Sequence, residues 1–122
     1  RKRREGKTYI MNFKYNNTGS QFSHRLKIVN FTKTELKVIN TGLLYMPEYV
    51  FKIDKEKITG TIIEIDNSMN NCPQTDTILY ELSGTISRKK MSGTFRFTST
   101  CYPNSNSTPD GTFEMDLTKP VA

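Results

Sequence analysis

The 122-residue sequence has no tryptophan, one histidine, two cysteines and no long apolar run. Each shortage removes a class of protein. A lone histidine, His24, cannot found a histidine-based metal centre, and two thiols that could pair with each other are poor zinc ligands. No serine sits in a G-x-S-x-G elbow, so a hydrolase triad through His24 lacks its usual strained nucleophile. No apolar stretch approaches the ~20 residues of a membrane helix, and no charged-then-apolar leader opens the chain. No stretch longer than a turn reads as a helix.

Acids are outnumbered, 12 against 18 lysines and arginines, for a net charge of +6. Four of the positive charges fall in Arg1, Lys2, Arg3 and Arg4. Residues 1–6 are therefore expected to form a basic, disordered tail, left where a leader or lipid anchor was removed. The competing reading is an arm for nucleic acid, an anionic glycan or a phospholipid surface. Nucleic acid is disfavoured because recognition needs aromatics on an exposed sheet face, whereas Phe13, Phe51, Phe95, Phe97 and Phe113 all take the apolar phase of their segments.

What the chain has is alternation. Residues 7–15 place Tyr9, Met11, Phe13 and Tyr15 on one face, and residues 22–29 do the same with Phe22, His24, Leu26 and Ile28. A third run spans 35–40, and Leu43 to Met46 reads as a strand end or edge, cut short by Pro47. Two hairpins of one design follow. Tyr49 to Ile65 turns through four polar residues after Ile53, and Ile78 to Phe97 turns through four polar residues after Ile86. The hairpin register sets Ile86 opposite Met91, Gly84 opposite Gly93, Leu82 opposite Phe95 and Tyr80 opposite Phe97. Facing glycines on the inner side leave a notch where the sheet bends or something approaches the backbone. A last strand covers 112–118. These signals define an all-β, single-domain, antiparallel up-and-down meander of eight or nine strands over residues 7–119. A β-barrel is expected, with a β-sandwich as the alternative.

The same register puts position 76 opposite Cys101, and Cys72 lies four residues earlier in a polar loop. A disulfide between Cys72 and Cys101 is thus within geometric reach, and it implies an oxidising, extracytoplasmic compartment. The alternative is two unrelated thiols. The bridge would gather the loops 67–76 and 102–111 at one end of the sheet, where binding sites commonly lie.

Other candidates weaken on inspection. Asp66-Asn67-Ser68-Met69-Asn70 begins like a calcium loop, but Asn71 stands where glycine is needed and Thr77 where glutamate is. Glu64 and Asp66 share a strand face, and Glu81 and Glu114 point outward, so solvated strand faces explain these acids more simply than a glycosidase pair. Three N-x-S/T sequons begin at Asn16, Asn30 and Asn106, and they matter only in a secretory pathway that glycosylates.

The hairpins from about 49 to 118 repeat an apolar-hydroxyl-Gly-Thr-apolar pattern, at Ile58 to Ile62, Leu82 to Ile86 and Met91 to Phe95. With the meander and the loop-end disulfide, this resembles the small calycin-like or lipocalin-like barrels of secreted and lipid-anchored bacterial proteins. The resemblance implies a closed barrel. It transfers no site, because the Gly-x-Trp of lipocalins is absent. The expected function is non-enzymatic: an extracytoplasmic barrel that binds a small apolar or amphipathic ligand inside, or a protein or glycan through its rim loops. Buried tyrosines need partners for their hydroxyls, so Tyr9, Tyr15, Tyr49 and Tyr80 suggest a partly polar interior. They, His24, Gly84, Gly93 and Phe97 are the candidate ligand-binding residues. The alternative is an interaction or inhibitor module that meets an acidic partner through the loops and basic surface. No cofactor or metal is expected, the chain is expected to act as a monomer, and a membrane enters only through a lost lipid anchor.

Overall fold

A computed structural model describes residues 2–68, 72–103 and 108–121. Eight strands follow one another: β1 (Thr8–Tyr15), β2 (Gln21–Phe31), β3 (Glu35–Asn40), β4 (Glu48–Asp54), β5 (Lys57–Asp66), β6 (Asp76–Ile86), β7 (Lys90–Ser99) and β8 (Gly111–Asp116). Each pairs antiparallel with the next, and β8 pairs with β1, with Phe13 opposite Phe113 and Met11 opposite Met115. The sheet is a closed barrel, and the sandwich alternative falls. This architecture is compatible with that of calycin-like barrels.

Alternation produces the core directly. On β4 every second residue, Tyr49, Phe51 and Ile53, is buried between exposed neighbours. Met11, Met91 and Met115, from three adjacent strands, are all fully enclosed. β2 runs to Phe31 rather than stopping at 29, because a bulge between Ile28 and Asn30 shifts the register and returns Phe31 to the interior. The hairpin register expected for β6 and β7 is present pair for pair, including Gly84 opposite Gly93.

The glycine notch is occupied by the wall itself. A Cβ on Gly84 would lie 2.0 Å from the Ser92 carbonyl oxygen, and one on Gly93 would lie 2.2 Å from that of Ser83. The two strands approach so closely here that only hydrogen fits, which coils the sheet toward closure.

One further expectation is corrected. Leu43 to Met46 is a turn in the β3–β4 connection, with Leu44, Tyr45 and Met46 well exposed, and not a strand end. Gly42 and Pro47 flank it, and Met46 takes φ 45°, so the backbone leaves the ladder. In the N-terminal segment, Lys2–Arg4 forms a 3-10 turn. Behind it, Gly6 N–H donates to Ile28 O at 2.7 Å, and Glu5 Oε2 accepts from Phe31 N–H at 3.0 Å. Anchors made by the main chain and one glutamate hold a segment whose composition suggested a free tail. Arg1 lies outside the described residues.

Candidate functional site

In a meander the connections alternate between the two ends. Residues 16–20, 41–47 and the described parts of the connections after β5 and β7 (67–68, 72–75, 100–103 and 108–110) gather at one end, here called the mouth. Cys72 and Cys101 are joined there, with their Cα atoms 6.0 Å apart. The joint is an extension of the β6–β7 ladder. Thr100 N–H donates to Thr77 O at 3.1 Å, and Cys101 N–H donates to Asp76 Oδ1 at 3.2 Å.

Just inside the mouth three polar side chains from three strands meet. Asn40 ends β3 in the inward phase set by Leu36 and Val38, and it is fully buried. Its Oδ1 accepts from Gly42 N–H at 3.0 Å, which fixes the amide and turns Nδ2 toward His24 Nδ1, 3.0 Å away. An amide nitrogen can only donate, so Nδ1 accepts and the neutral ring carries its proton on Nε2. Glu64 Oε1 stands 3.0 Å from that Nε2. The approach is out of line with the N–H, so no hydrogen bond is formed, and among the described residues the buried Nε2 has no aligned acceptor. His24 is 9% exposed and the Glu64 side chain 26%, so the carboxylate is the member that reaches toward solvent.

Three tyrosines surround this cluster. Burial pushes the Tyr49 phenol up to about 12, against the opposing effect of the Asn40 amide, and its hydroxyl donates to Ile63 O at 3.3 Å. Tyr80 is raised by burial first and by the Glu64 charge second, and Tyr15 is raised chiefly by burial. The two hydroxyls also act on each other, lowering Tyr15 and raising Tyr80. All three phenols therefore stay neutral hydroxyls at ordinary pH. Rings continue downward from them: Tyr80 and Phe97 centroids are 5.5 Å apart, Tyr15 and Phe95 5.3 Å, and Phe13 stacks on Phe22 at 4.6 Å.

Of the residues expected to bind ligand, Tyr15, His24, Tyr49, Tyr80 and Phe97 converge on the mouth. Tyr9 is fully buried opposite Leu26, deeper in the barrel, and Gly84 and Gly93 lie at the bend of the wall. Two members had been missed. Asn40 continues the inward phase of its strand. Glu64 continues that of Ile58, Gly60 and Ile62, so it is not a solvated face residue, and Glu64 and Asp66 form no pair at one centre. Asp66 instead accepts from Ser68 N–H at 2.9 Å, which lowers its carboxyl. The remainder of that calcium-like loop, residues 69–71, lies outside the described residues. Sequon residues Asn106 and Ser107 are outside them too.

The fold and this mouth define a small closed β-barrel with a polar, acid-bearing entrance above an aromatic interior. Comparison with protein-family models, with curated proteins and with solved structures gives no match.

Proposed function

We propose that this chain is a non-enzymatic, extracytoplasmic barrel of calycin-like type that holds a small amphipathic ligand at its disulfide-bearing mouth. The observation that carries the reading is the buried His24 N–H without an aligned acceptor, next to a half-buried carboxylate and three neutral phenols. Such a cluster is costly to bury unless a partner completes it. Below it, stacked rings offer a surface for an apolar body. Glu64 contributes negative charge beside a neutral imidazole, so the cluster favours a ligand head that donates hydrogen bonds or is cationic. The disulfide is consistent with an oxidising compartment.

The test is displacement of a bound hydrophobic dye by long-chain amines and by fatty acids of equal length. Saturable displacement with the amine preferred is expected, and Glu64→Gln should cut that preference about tenfold. Absence of saturable displacement by either series overturns the reading.

One observation favours the second reading, a module that engages an acidic protein through the rim. Leu44, Tyr45, Met46 and Tyr102 are large apolar side chains exposed in rim loops. A salt-sensitive complex lost on Tyr45→Ser, with dye displacement unaffected, would select it.

A further inference from the structure

The opposite end of the barrel carries a concavity of about 750 Å³ whose charge is all of one sign. Arg3, Arg4 and Lys7 contribute from the N-terminal segment and Arg88 from the β6–β7 turn, while Phe31 and Ile86 supply apolar surface. The cations are held in place by the fold. The Arg4 guanidinium donates to the Arg88 main-chain carbonyl, which ties two segments 84 positions apart. Glu5 and Gly6 are bonded to β2 immediately behind them.

Among the described residues, no acid lines this concavity. Glu5 directs its carboxylate at the Phe31 N–H. Asp116 is the acid that feels Arg4, together with Lys119, yet its carboxyl is lowered mainly by the Thr118 hydroxyl and N–H. Among the described residues, no carboxylate forms an ion pair with Arg3, Arg4, Lys7 or Arg88. Four like charges around one hollow repel each other, and an anion placed between them attracts all four and offsets that repulsion.

We infer that this hollow is a binding site for a phosphate group. Guanidinium forks match phosphate oxygens two at a time, which a carboxylate-free hollow with three arginines allows from several sides. Phe31 and Ile86 accept the apolar part of a phosphate ester. The ligand is either a soluble phosphate monoester or a phospholipid headgroup. The site lies at the far end from the mouth, so it stands or falls independently of the ligand proposed there.

The experiment titrates the protein at low ionic strength with phenyl phosphate, by NMR of the arginine side chains. In parallel, it measures co-sedimentation with phosphatidylglycerol-containing vesicles and with phosphatidylcholine vesicles. Binding to at least one phosphate probe is expected, and the stronger arm assigns the source. Arg3→Gln/Arg88→Gln should weaken it about tenfold or more. Lys14→Gln/Lys52→Gln removes the same charge from exposed outer-face positions and should leave it nearly unchanged. Arg88→Gln alone, on an exposed turn, carries the same test if the double variant folds poorly, because the carbonyl that Arg4 uses remains. Binding by neither probe overturns the inference. So does an equal loss in the Lys14/Lys52 variant, which would reduce the effect to net charge.

Discussion

The two ends of the barrel solve the problem of closure in opposite ways. At the base the connections are short, residues 32–34, 55–56 and 87–89, and the interior is sealed with Phe31, Ile53, Ile58, Ile86 and Leu117. Charge there is outside and positive. At the mouth the connections are long, and they are drawn together by a covalent bond because polar loops have little apolar surface to bury. The charge there is inside and negative, on Glu64. A dry, tightly turned end can be held by burial alone. An end that admits polar groups needs other means, and this one uses the disulfide, the Asn40 bridge and the backbone bonds of Asp76 and Thr100. The comparison teaches that stability and binding capacity sit at different ends, so perturbations should separate them.

The largest expected effect follows from opening the clasp. Cys72→Ser/Cys101→Ser releases a loop of sequence separation 29, worth about 3–4 kcal/mol in the chain-entropy account. Denaturant unfolding of oxidised and reduced protein measures it. The contrast between ends predicts that hydrogen exchange rises around residues 76–78 and 97–103 and stays slow at Ile53, Ile58 and Ile86. Uniform loosening would break the comparison. Nearly as large is Gly84→Ala. The new methyl would meet main-chain atoms of Ser92 and Gly93 that cannot move aside without parting the strands, costing about 3 kcal/mol. This wall serves both ends, so both should lose protection together in the same exchange measurement.

The strand rows were more legible in the sequence than the polar cluster of the mouth. Period-two alternation is strongest where strands bury clean apolar rows, and it gave the β6–β7 register, the inward phase of Phe51 and Ile53, and the reach of Cys72 to Cys101. Glu64 was harder, because the Ile62-Ile63 doublet and Ile65 blur which phase of β5 is inward, and acids read as solvent-facing by default. Asn40 ends its strand just before the Gly42 turn, where phase carries least weight. The pairing of β8 with β1 joins residues about a hundred positions apart, and no local pattern reports it. The bonds that Glu5 and the Gly6 amide make to β2 do not appear in a count of charges either.

A pH titration sharpens the contrast without mutation. Tyr49 is raised to about 12 by burial, and Tyr80 and Tyr15 are raised as well. The unfolded chain releases these phenolic protons near 10, so above that pH the folded state binds more protons than the unfolded one, and stability falls as pH rises. Stability should be at its full value below pH 10 and decline toward 12 and beyond. Absorbance of phenolate should show Tyr15, Tyr49 and Tyr80 keeping their protons past that pH. Tyr49→Phe should flatten the decline. Ionisation of Tyr15, Tyr49 and Tyr80 near 10 would mean that the mouth is wetter than its geometry implies.

The smallest effect lies in the shortest connection of the base. Asp54 pairs with Lys57, leaving Lys55 and Glu56 as a two-residue turn, and Lys55 takes φ 60°. A hairpin turn with a left-handed first residue favours glycine there, since any Cβ crowds the neighbouring carbonyl. Lys55→Gly relieves that strain but also loosens the unfolded chain. The strain is the larger quantity, so a gain of about 0.5–1 kcal/mol is expected in denaturant unfolding. Because the turn is remote from the mouth, dye displacement should not change. A gain in stability accompanied by altered ligand affinity would show that the two ends are coupled through β4 and β5, whose ladder contains only the pairs from Lys52 to Asp54 with Lys57 to Thr59.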